Sequence, residues 1–503
     1  MNLDYHALLP EIILAGTVIL VLVTDLLPVK KYWSAVVGIL GTAAALVPLL
    51  TLSFCDSLEF CESTGVRSMF SGTYVVDSFA LVLKGLFLVV ALVVLLMSVG
   101  YLEGGRFWQG EYYFLLLASV LGAVVMASSR DFISMFVALE LVTGPTFLMA
   151  GWRKGDDRSN EAALKYFIIG VISAAILLFG VSLVYGVTGQ LRFADIAAAI
   201  AVRGESPLLT IGVIFTILGF AFKVSAAPFH FWTPDTYEGA PTPVTAYLAV
   251  GSKAAGFVGL LTVAYVAFGT TRGLWAALIW ILAATSMTLG NVVAIKQTNI
   301  VRMLGYSSIA QGGFMLVPFG ALVAVDATPD VLEKAFFATV TYIVIYAAMN
   351  LGAFATIIAI SNRIKSGEIK DLAGLGLYAP GLAGLLAIFF FSLAGIPPVA
   401  GWFAKLVMFN SAIGSGSGWG LALAVIAAVN AVVAFAYYGK VVKSAWFDAV
   451  PDTVSDAMKS DSKVAPPLVL ALGLTFAGTI AFGVFPSLVT SLSEFASSLS
   501  SGL

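Results

Sequence analysis

Long apolar runs follow one another along the chain, separated by short polar segments. Each run can cross the roughly 30 Å hydrocarbon core of a bilayer as a helix, which takes about 20 residues. The runs are too long and continuous for membrane-spanning β-strands, which alternate over about ten residues. The pattern therefore predicts an all-α polytopic membrane protein with about 14 transmembrane helices. The predicted spans are 8–27, 33–53, 75–101, 111–128, 131–151, 161–187, 208–232, 242–268, 273–293, 299–325, 332–361, 380–412, 418–443 and 465–490.

The connections between the spans are short, and none is typical of a soluble domain or an extended linker. The longest are 54–74, 188–207 and 444–464. Residues 191–200 favour a short surface helix, and residues 453–463 favour a charged loop. Because residues 1–10 lack the positive region of a cleavable signal peptide, we expect the first span to be retained.

Composition excludes a soluble globular protein. Of the 503 residues, 60% are hydrophobic and only 11% are charged. The net charge of −2 and the lack of a basic tract give no support for nucleic-acid binding. Loops after odd-numbered spans, counted with the helix ends beside them, hold fifteen lysines and arginines, and those after even-numbered spans, counted in the same way, hold six. The positive-inside rule then places the odd loops in the cytoplasm and both termini on the outer side.

Five further cations fall within the predicted spans. They are Lys84, Lys165, Lys223, Lys253 and Lys405. A lysine at the centre of a membrane helix costs roughly 3 kcal/mol on insertion scales. Since a whole protein is stable by only about 5–15 kcal/mol, we expect partners, water or a neutral amine at these positions.

Prolines interrupt two of the spans at corresponding places. Pro228 falls in the seventh span, and Pro397 in the twelfth, which is 169 residues and five helices later. Because five is odd, the two units lie in opposite senses, as an inverted repeat. Matched broken helices are typical of transport sites near the membrane midplane. Lys223 precedes the first break and Lys405 follows the second, so we expect amines on opposite sides of the two breaks.

Other ionisable residues keep two interpretations each. Glu140 is near mid-span and is either a structural partner for a lysine or a functional carboxylate. His230, beside the first break, is either a hydrogen-bonded structural residue or a proton shuttle. Glu161 and Lys165 are spaced to pair on one helix face, as an interfacial ion pair or as part of a relay. For Lys84, near the outer end of its helix, we expect snorkelling to the surface.

Two cysteines, Cys55 and Cys61, lie in one loop that the charge bias places outside. They are either free thiols or a disulfide, and the outer location favours the disulfide modestly. The chain has no phosphate-binding glycine loop, nucleophile elbow or paired-histidine metal signature. We therefore expect no cofactor, metal or redox centre in this chain.

Three segments resemble the antiporter-like membrane subunits of respiratory complex I. They are Lys165-Tyr-Phe-Ile-Ile-Gly-Val-Ile-Ser, the segment 223–243 that begins Lys-Val-Ser-Ala-Ala-Pro-Phe-His, and Gly395-Ile-Pro-Pro-Val-Ala-Gly-Trp-Phe-Ala-Lys. The resemblance covers almost the whole chain, and the middle segment is long and specific.

The resemblance implies two inverted five-helix repeats, each with a broken helix. The implied units are 1–110 (helices 1–3), 111–268 (first repeat), 269–443 (second repeat) and 444–503 (C-terminal loop and last helix). It also implies a proton-translocating subunit of a bacterial NADH–quinone oxidoreductase, in the inner or plasma membrane. Its partners would be the antiporter-like subunits M and L, the small subunits J and K, and the lipid bilayer.

The resemblance further assigns roles to the ionisable residues. Glu140 and Lys223 form a coupled acid–amine pair, Lys253 is the central relay and Lys405 belongs to the second half-channel. His230 matches the family's histidine that lies between these relay residues. Lys165 and Glu161 match the family's lateral-relay region.

Two other functions remain open on the sequence. A subunit of a multi-subunit sodium–proton antiporter shares the fold and the buried lysines. A structural membrane subunit would use the same charges only to hold helices together.

Overall fold

The computed structural model describes residues 3–54, 65–103, 110–204, 206–324, 328–454 and 463–496. Cys55 and Cys61, and most of the predicted charged loop 453–463, lie outside these ranges, so the disulfide stays a prediction. Within the described part, eleven helical segments are long and apolar enough to cross a membrane. They are Tyr5–Leu26 (α1), Tyr32–Ser53 (α2), Ser78–Glu103 (α3), Gly110–Ser128 (α4), Phe132–Ala150 (α5), Asp157–Thr188 (α6), Thr242–Ala267, Gly269–Ala294, Pro329–Ile364 (α14), Gly418–Phe447 (α18) and Pro466–Val484 (α19).

Shorter helices and subdivisions complete the described architecture. Thr242–Ala267 consists of α10 (Thr242–Tyr247), a π turn at Leu248–Ser252, α11 (Lys253–Thr262) and a second π turn at Val263–Ala267. The other helices are α7 (Phe193–Arg203), α8 (Pro207–Lys223), α9 (Trp232–Gly239), α12 (Arg272–Ala294), α13 (Ile300–Gly320), α15 (Leu375–Tyr378), α16 (Pro380–Ala394), α17 (Gly401–Gly414) and α20 (Ser487–Phe495). Every predicted span coincides with one helix or with consecutive helical segments, which confirms the all-α membrane fold.

Both predicted interruptions are real breaks in a helix. The first separates α8, which ends at Lys223, from α9, which begins at Trp232. The second separates α16, which ends at Ala394, from α17, which begins at Gly401. Proline removes a backbone donor and displaces the preceding turn, so the helix cannot continue through either segment.

The two predicted five-helix units share local details at corresponding places. Asp131 caps the start of α5 through the amides of Ile133 and Ser134, and Asn299 caps α13 in the same way. The backbones of Asp131 and Arg192 form an isolated antiparallel β-bridge, and so do the backbones of Asn299 and Glu368. The partners correspond as well: Arg192 follows α6 and Glu368 follows α14, the long third helix of each predicted unit. The division at 111–268 and 269–443 and the inverted sense of the units stay predictions.

The centre of the molecule is made by two nearly enclosed helical segments. In the 18-residue apolar stretch of Thr242–Ala267 and in that of α14, 94% of the residues are buried. By contrast, only 28% of the residues in the corresponding stretch of α6 are buried, so α6 lies at the periphery. Side chains on the two central segments are therefore shielded from lipid. Because water is scarce there, their polar groups need partners within the protein.

Three local features differ from the predicted pattern. The predicted surface helix is present as α7, slightly longer than expected. The loop before α3 contains a small hairpin, β1 (Arg67–Met69) with β2 (Tyr74–Val76), that apolar periodicity could not reveal. The last predicted span, 465–490, is split between α19 and α20, because Pro486 cannot continue the first helix.

The hairpin is tied to the start of α1 by an ion pair. Arg67 Nη1 donates to Asp4 Oδ2 at 2.5 Å, and Asp4 also caps α1 by accepting from the amide of Ala7. Burial raises the pKa of the Asp4 carboxyl, but its hydrogen bonds from Ala7 and Arg67 outweigh that effect. The net result is a pKa below the ordinary value of 3.8.

Candidate functional site

The first buried amine lies at the end of α8, against α5. Lys223 is only 3% exposed, and its Nζ donates to Thr143 Oγ1 at 2.6 Å. Thr143 lies one turn after Glu140 on α5, and the Glu140 carboxyl interacts electrostatically with the Lys223 amine. Glu140 itself is half-buried. The structure thus brings together the predicted acid and amine, with Thr143 as a contact that the sequence did not indicate.

The second buried amine is central. Lys253 is 1% exposed and begins α11, directly after a π turn. Its Nζ donates to the backbone oxygen of Ser308 at 2.5 Å and to Ser308 Oγ at 2.7 Å. A π turn adds a residue to the helical repeat and re-aims the side chains that follow it, and such turns are frequent at functional sites.

Two glycines let the helices approach these amines. A Cβ on Gly256 would lie 3.0 Å from Cβ and Cγ of Lys223, so α11 packs directly on the stem of that lysine. A Cβ on Gly312 of α13 would lie 3.0 Å from the Val224 carbonyl oxygen and 3.5 Å from Lys253 Nζ. The first break and the central amine are therefore neighbours, with α13 beside them.

The third buried amine belongs to the second break. Lys405 is 6% exposed and lies one turn into α17. Its Nζ reaches back to the last residue of α16, donating to the Ala394 carbonyl at 2.5 Å, and lies 5.1 Å from the centre of the Phe314 ring. Gly395 makes room for the lysine: its φ is +91°, and a Cβ there would lie 2.6 Å from Lys405 Cδ.

This contact corrects one expectation from the sequence. We expected the Lys223 and Lys405 amines on opposite sides of the two breaks, because one lysine precedes its break and the other follows it. That was wrong in space. Lys223 is the last residue of α8, and the Lys405 amine folds back to the last carbonyl of α16. The residue Lys223 and the amine of Lys405 therefore both lie at the carbonyl end of the half-helix that precedes the break.

His230, in the first break, and Lys165, near the start of α6, belong to a second group of polar residues. Lys165 pairs with Glu161 at 2.6 Å, as the spacing predicted, and also with Asp235 of α9 at 2.5 Å. Arg302 of α13 binds the other oxygen of Asp235 at 2.7 Å. His230 is buried, and with Lys165, Asp235 and Arg302 it lines a cavity of about 410 Å³. Asp235 and Arg302 were not singled out in the sequence, because their partners are on distant helices.

Lys84 contradicts the expectation of snorkelling. Its side chain is 0% exposed, and its Nζ forms an ion pair with Glu11 of α1 at 2.6 Å. The Tyr74 hydroxyl donates to the same carboxylate oxygen at 2.7 Å. The expectation was wrong because distance from the end of a helix measures depth only. α3 turns Lys84 toward the protein interior, where α1 supplies the counter-ion.

The three central amines share one electrostatic property. Among the described residues, Lys223, Lys253 and Lys405 form no ion pair within 4 Å, whereas Lys84 and Lys165 both do. A charged amine that is buried without a counter-ion is costly. In the same described ranges, no three His, Cys, Asp or Glu side chains lie close enough together to hold a metal ion.

Comparison with known proteins places this arrangement in context. Residues 129–430 match the family model described as "NADH:quinone oxidoreductase/Mrp antiporter, TM". The chain is 36% identical over 504 residues to NADH-quinone oxidoreductase subunit N of Trichlorobacter lovleyi, covering 98% of this chain and 97% of the relative. It is 38% identical over 501 residues to the protein of the same name from Dehalococcoides mccartyi, covering 98% and 99%.

Solved structures agree with these relatives. A chain of respiratory complex I from Thermus thermophilus with bound aureothin has a TM-score of 0.75 and 28% identity, over 96% of this chain and 98% of that chain. A chain of the Mrp complex from Dietzia sp. DQ12-45-1b has a TM-score of 0.82 at 19% identity, over 98% and 97%. The second likeness is one of fold alone.

Proposed function

Because the chain belongs to the NADH-quinone oxidoreductase subunit N family, we propose that it moves protons across the membrane through its buried amines. Glu140 and Lys223 are the acid–amine pair at one end of the relay, Lys253 is its centre and Lys405 serves the second half. The secondary members are His230 in the first break and the pair Lys165 and Glu161 near the start of α6.

One observation carries the proposal: three lysines at or between two helix breaks are buried without an ion-pair partner in the described part of the chain. Each amine contacts neutral oxygen atoms instead. A neutral amine keeps two N–H donors, so a hydroxyl or carbonyl oxygen can still accept from it, although more weakly than from the ammonium. These contacts can therefore persist when the amine loses or gains a proton. A structural role would be served better by the paired arrangement found at Lys84 and Glu11.

The relay begins at Glu140, which interacts with Lys223 and is the more exposed of the two. A change of charge beside Glu140 alters its attraction for the Lys223 amine, and Lys223 then exchanges a proton with Lys253. Lys405 governs passage to the other side. Moving one charge against 100 mV costs about 2.3 kcal/mol, so the energy comes from redox chemistry in partner subunits.

This function implies a place in an assembly. The partners are antiporter-like subunits M and L and small subunits J and K, in the inner or plasma membrane of a bacterium. Both termini lie on the outer side. The chain acts in the oxidoreductase only as a translocase subunit, without a cofactor of its own.

The test uses membrane vesicles that contain the whole complex. Proton uptake and NADH–quinone oxidoreduction are measured together for Lys253→Met, Glu140→Gln and a control, Lys334→Met. Lys334 is an exposed lysine paired with Asp330 on the surface of α14. We expect both relay variants to assemble but to move fewer protons per NADH, and the control to behave as wild type. Normal pumping by assembled Lys253→Met overturns the proposal.

A second candidate is a cation/proton antiporter subunit, because the matching family model also covers Mrp antiporters. Vesicles that contain this chain with only its sibling antiporter subunits discriminate between the two functions. Sodium-dependent proton exchange in those vesicles favours the antiporter, and its absence favours the oxidoreductase.

A further inference from the structure

One face of α13 runs between the central amine and the amine of the second break. Ser308 accepts from Lys253 Nζ, Gln311 follows three residues later, and the Phe314 ring lies against Lys405 Nζ three residues after that. Residues spaced by three share one side of a helix. At a rise of 1.5 Å per residue, the path from Ser308 to Phe314 is about 9 Å long.

Two tyrosines of α14 hold this face in place. The Tyr346 hydroxyl donates to Ser308 Oγ at 3.1 Å, and the Tyr342 hydroxyl donates to Gln311 Oε1 at 2.6 Å. The two tyrosines are one turn apart, and Ser308, Gln311 and both tyrosines are at most 2% exposed. An enclosed row of hydroxyl and amide groups thus lies between the contact of Lys253 at Ser308 and the contact of Lys405 at Phe314.

Gln311 also binds the end of α16 that receives the Lys405 amine. The last four carbonyls of a helix lack partners within the helix. In α16, the carbonyls of Phe391 and Ser392 accept from backbone amides of the break. The Leu393 carbonyl accepts from Gln311 Nε2 at 3.0 Å, and the next carbonyl accepts from Lys405. The amide and the amine therefore bind adjacent carbonyls.

This sharing makes the position of Lys405 depend on Gln311. Without the amide, the buried Leu393 carbonyl would lose its side-chain partner, which is unfavourable for a buried acceptor. The neighbouring donor, the Lys405 amine, would then be free to shift toward it and away from its present acceptor. The end of α16 would also lose this hydrogen bond to α13, the helix that carries the acceptor of Lys253.

We propose that Gln311 is a positioning residue for proton transfer between Lys253 and Lys405. Its amide, held by Tyr342, fixes the carbonyl end of α16 against α13 and thereby sets the place of the Lys405 amine. An amide is not itself a ready proton carrier, so Gln311 acts through the lysine rather than as a member of the relay. The inference rests on the proposed function and deepens it.

A matched control exists in the same half of the protein. Asn291 is also fully buried, donates its amide to the Asn430 backbone oxygen at 3.1 Å and accepts from the Tyr437 hydroxyl at 3.1 Å. It therefore reproduces the chemistry of Gln311. In the described part of the chain it has no hydrogen bond to Lys253 or Lys405. Asn291→Leu removes an equivalent amide without touching the proposed link.

The experiment compares Gln311→Met, Asn291→Leu and Lys253→Met in vesicles that contain the intact complex. Protons moved per NADH oxidised are measured after assembly of each variant is verified. We expect Gln311→Met to lower the ratio toward that of Lys253→Met, and Asn291→Leu to keep the wild-type ratio. A wild-type ratio in Gln311→Met, or an equal loss in Asn291→Leu, overturns the inference while the proposed function stands. A wild-type ratio in Lys253→Met overturns both.

Gln311→Glu gives a readout that a purely structural role would not change. A protonated carboxyl can accept from Tyr342 and donate to the Leu393 carbonyl, as the amide does, but an ionised one cannot donate. We expect its pumping ratio, relative to wild type at the same pH, to recover as the pH falls. A ratio that stays low or stays normal at every pH overturns the inference. The titratable groups that face this position and Ser308 are Tyr342, Tyr438, Lys405, Lys253, Tyr237 and Tyr346.

Discussion

The ion pair between Glu11 and Lys84 permits a quantitative test of how the first three helices are held together. The Lys84 side chain is 0% exposed and the Glu11 side chain 11% exposed, with 2.6 Å between Nζ and Oε1. Removing one partner of a buried pair leaves an uncompensated charge, which costs about 3–5 kcal/mol. Lys84→Met should therefore consume a large part of the about 5–15 kcal/mol by which a protein is stable.

The second half of the cycle removes both charges while keeping the neighbouring contact. Glu11→Gln leaves an oxygen that can still accept from the Tyr74 hydroxyl, which now donates to Glu11 Oε1. Glu11→Gln alone strands the Lys84 ammonium, so we expect a cost similar to that of Lys84→Met. The double variant has no buried charge at this place and should cost about 0–1 kcal/mol, because neutral replacements of buried pairs are often nearly neutral.

The free energy of unfolding is measured in mixed micelles of dodecyl maltoside and SDS, with tryptophan fluorescence as the signal. The difference between the double variant and the sum of the single variants gives the coupling energy. Lys334→Met is the control, since its exposed pair with Asp330 should contribute about 0–1 kcal/mol. A single Lys84→Met cost below about 1 kcal/mol would refute the reasoning and indicate a solvated lysine. Additive single costs would refute direct pairing.

Three further changes test individual contacts. Gly395→Ala should destabilise the second break by about 1–3 kcal/mol, because φ is +91° and the new methyl group would clash with Lys405. Thermal unfolding of the complex measures the loss of stability, and an unchanged transition temperature contradicts the prediction. Thr143→Val removes the acceptor of Lys223 Nζ and should lower the number of protons moved per NADH oxidised. Thr143→Ser keeps the hydroxyl and should not lower that number, so equal effects of the two variants would exclude a role for the hydroxyl. The lowered pKa of Asp4 means that its stabilising contribution is full above the ordinary value of 3.8 and is lost as the pH falls through the lowered pKa. Hydrogen exchange at the start of α1, corrected for intrinsic rates, should therefore rise in that window in wild type but not in Asp4→Asn.

Much of the architecture could be predicted from the sequence because membrane crossing imposes a length and an apolar composition. The same constraint makes the candidate lysines visible in the sequence, because a cation within an apolar run is exceptional. The helix breaks are equally visible, because proline acts through its own backbone and needs no knowledge of neighbours. These are properties of single segments.

The parts that could not be predicted are contacts between segments. Hydropathy gives the depth of Lys84 but not the direction in which α3 turns it, so its partner Glu11 was missed. Gln311 is an uncharged residue whose importance arises only when α13, α14 and α16 meet. The π turn before Lys253 is a further case, since it depends on how a central helix fits its neighbours.

The two breaks use their lysines in a way that only the folded chain reveals. At the first, Lys223 ends α8 and its amine leaves the helix for Thr143 on α5. At the second, the Lys405 amine binds the last carbonyl of α16 directly. A helix C-terminus carries a partial negative charge worth about 0.3–2 kcal/mol to a nearby cation. At the second break, this end charge therefore gives the charged form of Lys405 a modest attraction, without an ion-paired carboxylate in the described part of the chain that would hold the proton more firmly. That balance is what a group needs if it is to take up a proton and release it again.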